Sequence, residues 1–547
     1  MRVILDTVRH LPDILKSWMT PNLRLFRTSR LPLVWLLSLA IGALVAAAAI
    51  VFRSLIGLLQ WPWLGETSEL IIDAAKAQPW WVILLAPAFG GLIVGWLLQS
   101  YQPKQRAGGV ADVIEARALG GRGLPLRSGL TSAFITVISL GFGASAGREG
   151  PVVHLGATLG TALCRAFSLP DSARRMLLAC GVASAVSASF NAPIAGVLFA
   201  HEVVLGHYAV SAFVPIVLAS AVGTVLARLW FGDAVAFVIP NYDITSYWEI
   251  PAFGLLGLTC AAVAILFQFA LIGTDWTARN ISMPLWLRPV IGGLAVGSIG
   301  VFFPHVLGVG YEATDMALKH QLPITMLLSL LVAKTAATAI TLASRFGGGI
   351  FSPSLYLGAM AGGAFGLIAA SVFPELASSH GLYAILGMGG VAAAVLGAPV
   401  STTMIVFELT GGYGLSIALL VVVSIATGLT HAIHGKSYFH WQLGMRGVCL
   451  HEGSHTFLRE NVKVRDFMDP PPENEDERVF NPGTDGAYLH TGTSLANALK
   501  TFDESGSNSL PVVESGDASR IVGTARHVRA LRYFNTALIQ ESEEAHR

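Results

Sequence analysis

Long uninterrupted apolar stretches dominate the chain, beginning near Leu31, Trp80, Ile250, Leu287, Pro323 and Leu415. Each predicts a helix of the roughly 20 residues that cross a hydrocarbon core. From Ser128 to Trp230, and again from Ser352 to Leu409, the pattern changes, and Gly or Pro interrupts the apolar runs every ten to fifteen residues. Lipid offers no hydrogen bonds to irregular backbone, so such breaks must be buried in protein or face a watery cavity. Interrupted helices of this kind predict a solute site within the membrane.

The two interrupted regions repeat one another. Pro151 followed by Leu155, Gly156 and Ala157 matches Pro353 followed by Leu357, Gly358 and Ala359. Further on, Ala192, Pro193, Glu202 and Gly206 match Ala398, Pro399, Glu408 and Gly412, and the paired prolines are 42 residues apart in one copy and 46 in the other. Halves spanning about residues 80–232 and 287–434 follow, and duplicated halves place a substrate site at their interface.

Composition supports lipid as the solvent, since 53% of the residues are hydrophobic and 13% charged, against about a quarter charged in soluble domains. The charges gather at the ends. Residues 1–30 carry Arg2, Arg9, Lys16, Arg24, Arg27 and Arg30 just before the first apolar run, which predicts a cytoplasmic N-terminus with no removable signal peptide. Residues 31–450 form the transmembrane domain, and 451–547, with 16 of the 34 acidic residues, form a soluble domain on the same side. Its linker is Asp469 to Glu477, after an extended VKVRDFM at 462–468; a helix at Thr493 to Phe502 and strands at Ser509 to Val513 and Arg520 to Gly523 follow. Cys164, Cys180, Cys260 and Cys449 lack metal or redox spacing and read as small buried hydrophobes. The net charge of +1 says nothing about partners; no nucleic-acid partner, cofactor or resident metal is expected.

Gly147-Arg148-Glu149-Gly150-Pro151 and Gly349-Ile350-Phe351-Ser352-Pro353 each place Pro at the first turn of a helix with Gly just ahead of it. Two opposed helix N-termini would hold an anion by backbone amides and dipole ends, weakly enough to release it. Arg148, Gly150, Gly349, Ile350, Phe351 and Ser352 are the candidates, with Arg148 organising its loop more than touching the ion. Glu149 sits in the field that would hold the anion, so it is a candidate gate and proton acceptor; a plain capping carboxylate is the bland alternative. Lys334, Arg345, Glu202 and Glu408 are further ionisable groups at membrane depth, the two glutamates with an alternative structural role at helix ends or a subunit contact.

GREGP, a downstream GGIFSP and a late AP-to-Glu element resemble the CLC family of chloride channels and chloride/proton exchangers, over roughly Leu31 to Gly447. The resemblance implies an all-α polytopic membrane protein with two inverted-topology halves and many tilted, broken helices. It implies a homodimer with one pore per subunit in a bacterial cell inner (plasma) membrane, both termini being cytoplasmic, with chloride, and protons in an exchanger, as the cargo. It further implies that the Ile350 and Phe351 amides hold the central anion and that Glu149 is the gate. The tail resembles a single CBS-type α/β repeat, whose nucleotide-binding Thr and Asp are replaced by Arg526 and Arg529.

Three departures matter. The family's GSGIP anion motif is here Ala107-Gly108-Gly109-Val110-Ala111, so Gly108 stands where an anion-binding serine would. At the inner end of the pore either Phe439 or Tyr438 takes the place of a tyrosine. Where exchangers carry Glu-Glu, this chain has Glu202-Val203, a channel-like pattern, with His201 a nearby titratable group; Glu202 and His201 are the inner proton-path candidates. The expected function is therefore a voltage- or proton-gated chloride channel, with a chloride/proton antiporter as the alternative. A remote alternative, a membrane metalloprotease, rests on the HExxH spacing of His451-Glu452-Gly453-Ser454-His455.

Overall fold

The structure is a computed structural model that describes residues 16–17, 19–21, 23–24, 31–119, 123–233, 237, 244, 246–374, 378–411, 414–448, 462–471, 486–514 and 517–546. It divides into two compact units, Met1–Tyr208 with Ala212–Ser437, and Ala209–Ser211 with Tyr438–Arg547. The first unit opens with α1 (Leu31–Leu64), α2 (Ile72–Ala77), α3 (Trp80–Tyr101), α4 (Val110–Leu119) and α5 (Leu126–Gly141). Next come α6 (Glu149–Ala166), α7 (Asp171–Phe190), α8 (Pro193–Phe199), which runs into a π-turn at Ala200–Leu205, and α9 (Val210–Phe231). The later half holds α10 (Ile250–Asn280), α11 (Leu287–Phe302), α12 (Tyr311–Leu318), α13 (Ile324–Ala343) and α14 (Phe351–Val372). It ends with α15 (His380–Leu396), α16 (Pro399–Thr410) and α17 (Ser416–His434).

Seven helical stretches among the described residues are long and apolar enough to cross a membrane. Two expectations change here. The run from Leu287 yields a helix of only 16 residues, stopped at Phe302 by Pro304. Conversely, Val210–Phe231 and Phe351–Val372 are unbroken helices of 22 residues each. In the second of these Pro353 falls in the first turn, where the missing N–H costs nothing. Large apolar side chains such as Leu36, Trp96, Leu229 and Leu266 lie exposed on α1, α3, α9 and α10, as lipid-facing helices require.

Local structure repeats along with the sequence. α7 ends at Asn191 with φ of 58° and α15 at Gly397 with φ of 67°, and each left-handed cap leads through Ala into a proline that starts the next helix. α6 packs on α7 where Gly156 and Gly181 each face the other's backbone carbonyl, and α14 packs on α15 through Gly358 and Gly387 in the same way. A Cβ at any of these four positions would collide with the opposite helix.

The halves also exchange helix caps. The Glu202 carboxylate, on the π-turn, accepts from the amides of Val400 (3.0 Å) and Ser401 (2.6 Å) at the start of α16. Glu408, on α16, accepts from Ile194 (3.0 Å) and Ala195 (2.7 Å) at the start of α8. Each carboxylate thus satisfies two orphan amides of the other half.

The second unit contains α18 (Tyr438–Gly444), α19 (Leu495–Ser505), α20 (His527–His546) and a sheet of β1 (Leu489–His490), β2 (Ser509–Glu514) and β3 (Asp517–Arg526) in that order. β1 pairs parallel to β2 across α19, whose cap is Ser494, and β2 pairs antiparallel to β3. Phe467, Leu495, Phe502, Leu510 and Val512 form its core. The expected extended VKVRDFM instead contains a 3₁₀ turn at Val464–Asp466, and α20 and β1 were not foreseen. Residues 472–477 of the linker, Cys449 and the HExxH residues 451–455 lie outside the described residues.

Glu408→Ala and Glu202→Ala should each destabilise the protein by about 1–2 kcal/mol, the usual worth of a helix cap. Because each glutamate is carried by the segment whose start the other caps, the cost of the double variant should depart from the sum of the two, as read from thermal unfolding in detergent.

Candidate functional site

The two glycine-led motifs meet. Gly147 N–H donates to the Gly349 carbonyl and Gly349 N–H to the Gly147 carbonyl, both at 2.7 Å, a one-step antiparallel bridge between the halves. Helices α6 and α14 start two residues beyond it, so their N-termini face a common space. A third helix joins them, because a Cβ on Gly150 would lie 3.5 Å from Gly349 Cα and 3.8 Å from Val110 Cγ2 at the start of α4. The Gly349 amide is committed to the bridge, so Gly349 contributes position and no free donor.

Glu149 begins α6 and is 2% exposed. Its Oε1 accepts a 2.7 Å hydrogen bond from the Tyr311 hydroxyl, while Oε2 is buried without a partner. A Cβ on Gly147 would come 2.7 Å from Glu149 Oε2 and 3.1 Å from Ser352 N. The carboxylate therefore stands over the first turn of α14, in the space that only a glycine at 147 leaves open. Ser352 Oγ reaches the Tyr311 hydroxyl at 3.4 Å, so this one phenol touches the opening turns of both helices.

Three charged residues outside the motifs support the arrangement. Arg148 pairs with Glu69, which also holds Arg53 at 2.8 Å, and the Arg148 guanidinium lies 5.2 Å over the Tyr311 ring. Arg148 Nε is 3.9 Å from Glu149 Oε1, a looser contact. Lys334 is fully buried and donates to the carbonyls of Val306 (3.0 Å) and Gly308 (2.9 Å), which pins the loop that presents Tyr311. Arg53, Glu69, Arg148, Asn191, Phe237 and Tyr311 line a cavity of 480 Å³.

On α14, Ile350 is the cap residue and the Phe351 ring packs against Phe190 (4.9 Å) and Phe199 (6.1 Å). Gly108, just before α4, donates from its N–H to Ser132 Oγ at 2.5 Å, and the His154 ring fills the room a side chain there would need. His201 is buried on the π-turn, its Nδ1 3.0 Å from the His207 carbonyl and its ring stacked on Tyr208. Its neighbour Glu202 is the helix cap already described. Tyr438 and Phe439 are buried in the second unit, where Tyr438 stacks on Trp441. Arg526 and Arg529 in the same unit both engage Asp469.

Tyr311, Glu69, Arg53 and His154 escaped the sequence reading. The only available signal was that a buried Arg148 beside Glu149 needs a counter-charge of its own.

Residues 90–431 match the family described as voltage gated chloride channel. A ClcB-like chloride channel protein of Ralstonia nicotianae is 32% identical over 406 residues, covering 73% of this chain and 94% of that protein. Among solved structures, a slow cyanobacterial Cl⁻/H⁺ antiporter superposes with a TM-score of 0.68 at 22% identity, covering 76% of this chain and 97% of the other. A CLC-type fluoride/proton antiporter superposes with a TM-score of 0.63 at 24% identity, covering 74% and 96%. At these identities the two structures speak for the fold, and the matched residues take in both glycine-led motifs and the bridge between them. This chain belongs to the voltage-gated chloride channel family, the CLC family.

Proposed function

We propose that the protein moves small inorganic anions, chloride foremost, across a membrane, with Glu149 as the gate. The observation that carries the reading is the placement of Glu149 over the opening turn of α14, where a carboxylate and a permeant anion compete for one set of amides. When the side chain is neutralised or displaced, the amides of Ile350, Phe351 and Ser352 become available to the anion. No covalent step is involved, and no enzymatic activity is proposed.

Gated conduction is the main form of the reading, in line with Glu202 serving as a cap and Val203 following it. Proton-coupled exchange is the second, favoured by the antiporter activity stated for both structural neighbours. Glu202 and His201 are the inner groups such a route would use. We further propose a homodimer in a bacterial inner membrane with both termini cytoplasmic, Tyr438 or Phe439 at the inner end of the pore, and a CBS-like role for the second unit. With Arg526 and Arg529 held by Asp469, that role is pairing between subunits and not nucleotide binding.

Liposomes carrying the protein should show chloride flux, and Glu149→Gln should leave that flux in place while abolishing its pH dependence. Protons driven uphill by a chloride gradient in the wild type would establish exchange over conduction, whereas a Glu149→Gln profile identical to wild type would remove Glu149 from the gate. Tyr311→Phe deletes the donor that holds the carboxylate, a bond to a charged group worth about 1.5 kcal/mol or more. Chloride affinity, measured by titration calorimetry, should rise roughly tenfold in that variant.

A further inference from the structure

Among the described residues Arg148 has two carboxylates within 4 Å, and it bonds to one of them. It pairs with Glu69, whose Oε1 also takes the Arg53 Nε at 2.8 Å, while Glu149 Oε1 stands 3.9 Å from the Arg148 Nε, beyond hydrogen-bond range. Arg148 is 5% exposed and Glu149 2%, so neither charge can turn to water instead. Glu69 belongs to the loop between α1 and α2 and stands in the wall of the 480 Å³ cavity. Burial raises its carboxyl, but Arg148 and then Arg53 outweigh that and hold it below the usual carboxylate range, so it stays ionised.

The other charged groups of the cavity wall are engaged elsewhere. Asp315 holds Lys319 at 2.7 Å, and Glu312 accepts from the Ile72 amide at 2.8 Å. A buried guanidinium that loses its counter-charge takes the nearest one left, because a lone buried charge is costly. Here the nearest is Glu149, whose Oε2 has no partner and whose Oε1 is bonded only by the Tyr311 phenol. The fork of a guanidinium can grip both oxygens of such a carboxylate.

We propose that Glu69 is a positioning residue for the gate: by claiming Arg148, it keeps the nearest full cation off Glu149 and leaves that carboxylate loosely held. The proposal rests on Glu149 being the gate and names what sets its ease of release. Without the Glu69 charge, Arg148 moves onto Glu149. A cation there favours the ionised carboxylate, so more acid is needed to neutralise it, and a permeant anion must displace a better-held competitor. Plain cavity electrostatics gives the opposite sign, since deleting a negative charge from the wall draws anions in.

The test is chloride flux against pH in liposomes and chloride binding by titration calorimetry, with thermal unfolding as the check on folding. Glu69→Gln should move the midpoint of the flux profile about one pH unit to acid and weaken chloride binding about tenfold, the scale of one bond between charged groups. Glu69→Asp, with the charge on a shorter arm, should fall between that variant and wild type. The loss of affinity should vanish when Glu69→Gln is combined with Glu149→Gln, where Arg148 has no gate carboxylate to take. A folded Glu69→Gln protein whose midpoint stays or moves to alkaline pH, or an equal loss of affinity in the Glu149→Gln background, would overturn the proposal. Should Glu69→Gln fail to fold, an unshifted Glu69→Asp midpoint would overturn it. Those results leave the gate standing, whereas wild-type flux indifferent to pH overturns the gate and this proposal with it.

Discussion

Two peptide hydrogen bonds between Gly147 and Gly349 hold the arrangement on which everything else in the membrane unit depends. In an apolar interior four backbone groups left unpaired would each cost free energy, so the bridge forms wherever the two chains can approach. Glycine at both positions permits the approach. Fixing those residues fixes the origins of α6 and α14, two residues further on, and sets their N-termini against a shared space. Side chains from both halves brace the joint: Gly347 N–H meets Ser139 Oγ at 2.9 Å, and Ser145 engages Thr341 Oγ1 (3.2 Å) and the Val306 carbonyl (2.7 Å).

A site that must release its ligand cannot present an unmatched full charge. Among the described residues the cations around the Glu149 site are engaged: Arg148 and Arg53 share Glu69, and Lys334 is held by two carbonyls. Their charge orders the Tyr311 loop and the cavity beside it, and in the proposed site partial charges of the helix ends are left to face the ion. Lys334 in particular acts through geometry, since the carbonyls it binds belong to the turn that delivers the phenol to Glu149.

Much of this was legible in the chain. The apolar runs, the Pro-led helix starts, the duplication and the opposition of the two motifs follow from spacing and from the backbone's need for hydrogen bonds, so they could be read without coordinates. Helix lengths were read less well: Val210–Phe231 runs unbroken through Pro215, and the helix from Leu287 stops after 16 residues, ahead of Pro304. Glu69, Arg53, Tyr311 and His154 were not legible, because what makes them partners is proximity across long stretches of chain. Glu69 is 79 residues from Arg148, and Tyr311 is 162 from Glu149. Gly108 was noticed as a gap, but only the packing shows that another helix fills it.

The near-symmetry of the halves is most informative where it fails. Matching Pro151 to Pro353 sets Glu149 opposite Phe351, so the two helices begin with a carboxylate in one half and an aromatic ring in the other. The ring is fixed between Phe190 and Phe199, while the carboxylate is held at a single oxygen by Tyr311 and has its other oxygen free. One N-terminus thus begins with a packed ring, and the other with a charged group bonded at one oxygen to Tyr311 and loosely approached by Arg148. A symmetric pair of carboxylates would repel each other and exclude the anion; a symmetric pair of aromatic rings would leave nothing to respond to it. A difference recurs at the caps, where Glu408 rides a regular helix and Glu202 a π-turn, so that matching contacts are made from unlike backbones. The repeat supplies the pair of helix ends, and the difference at the first residue of each is what the proposed gate relies on.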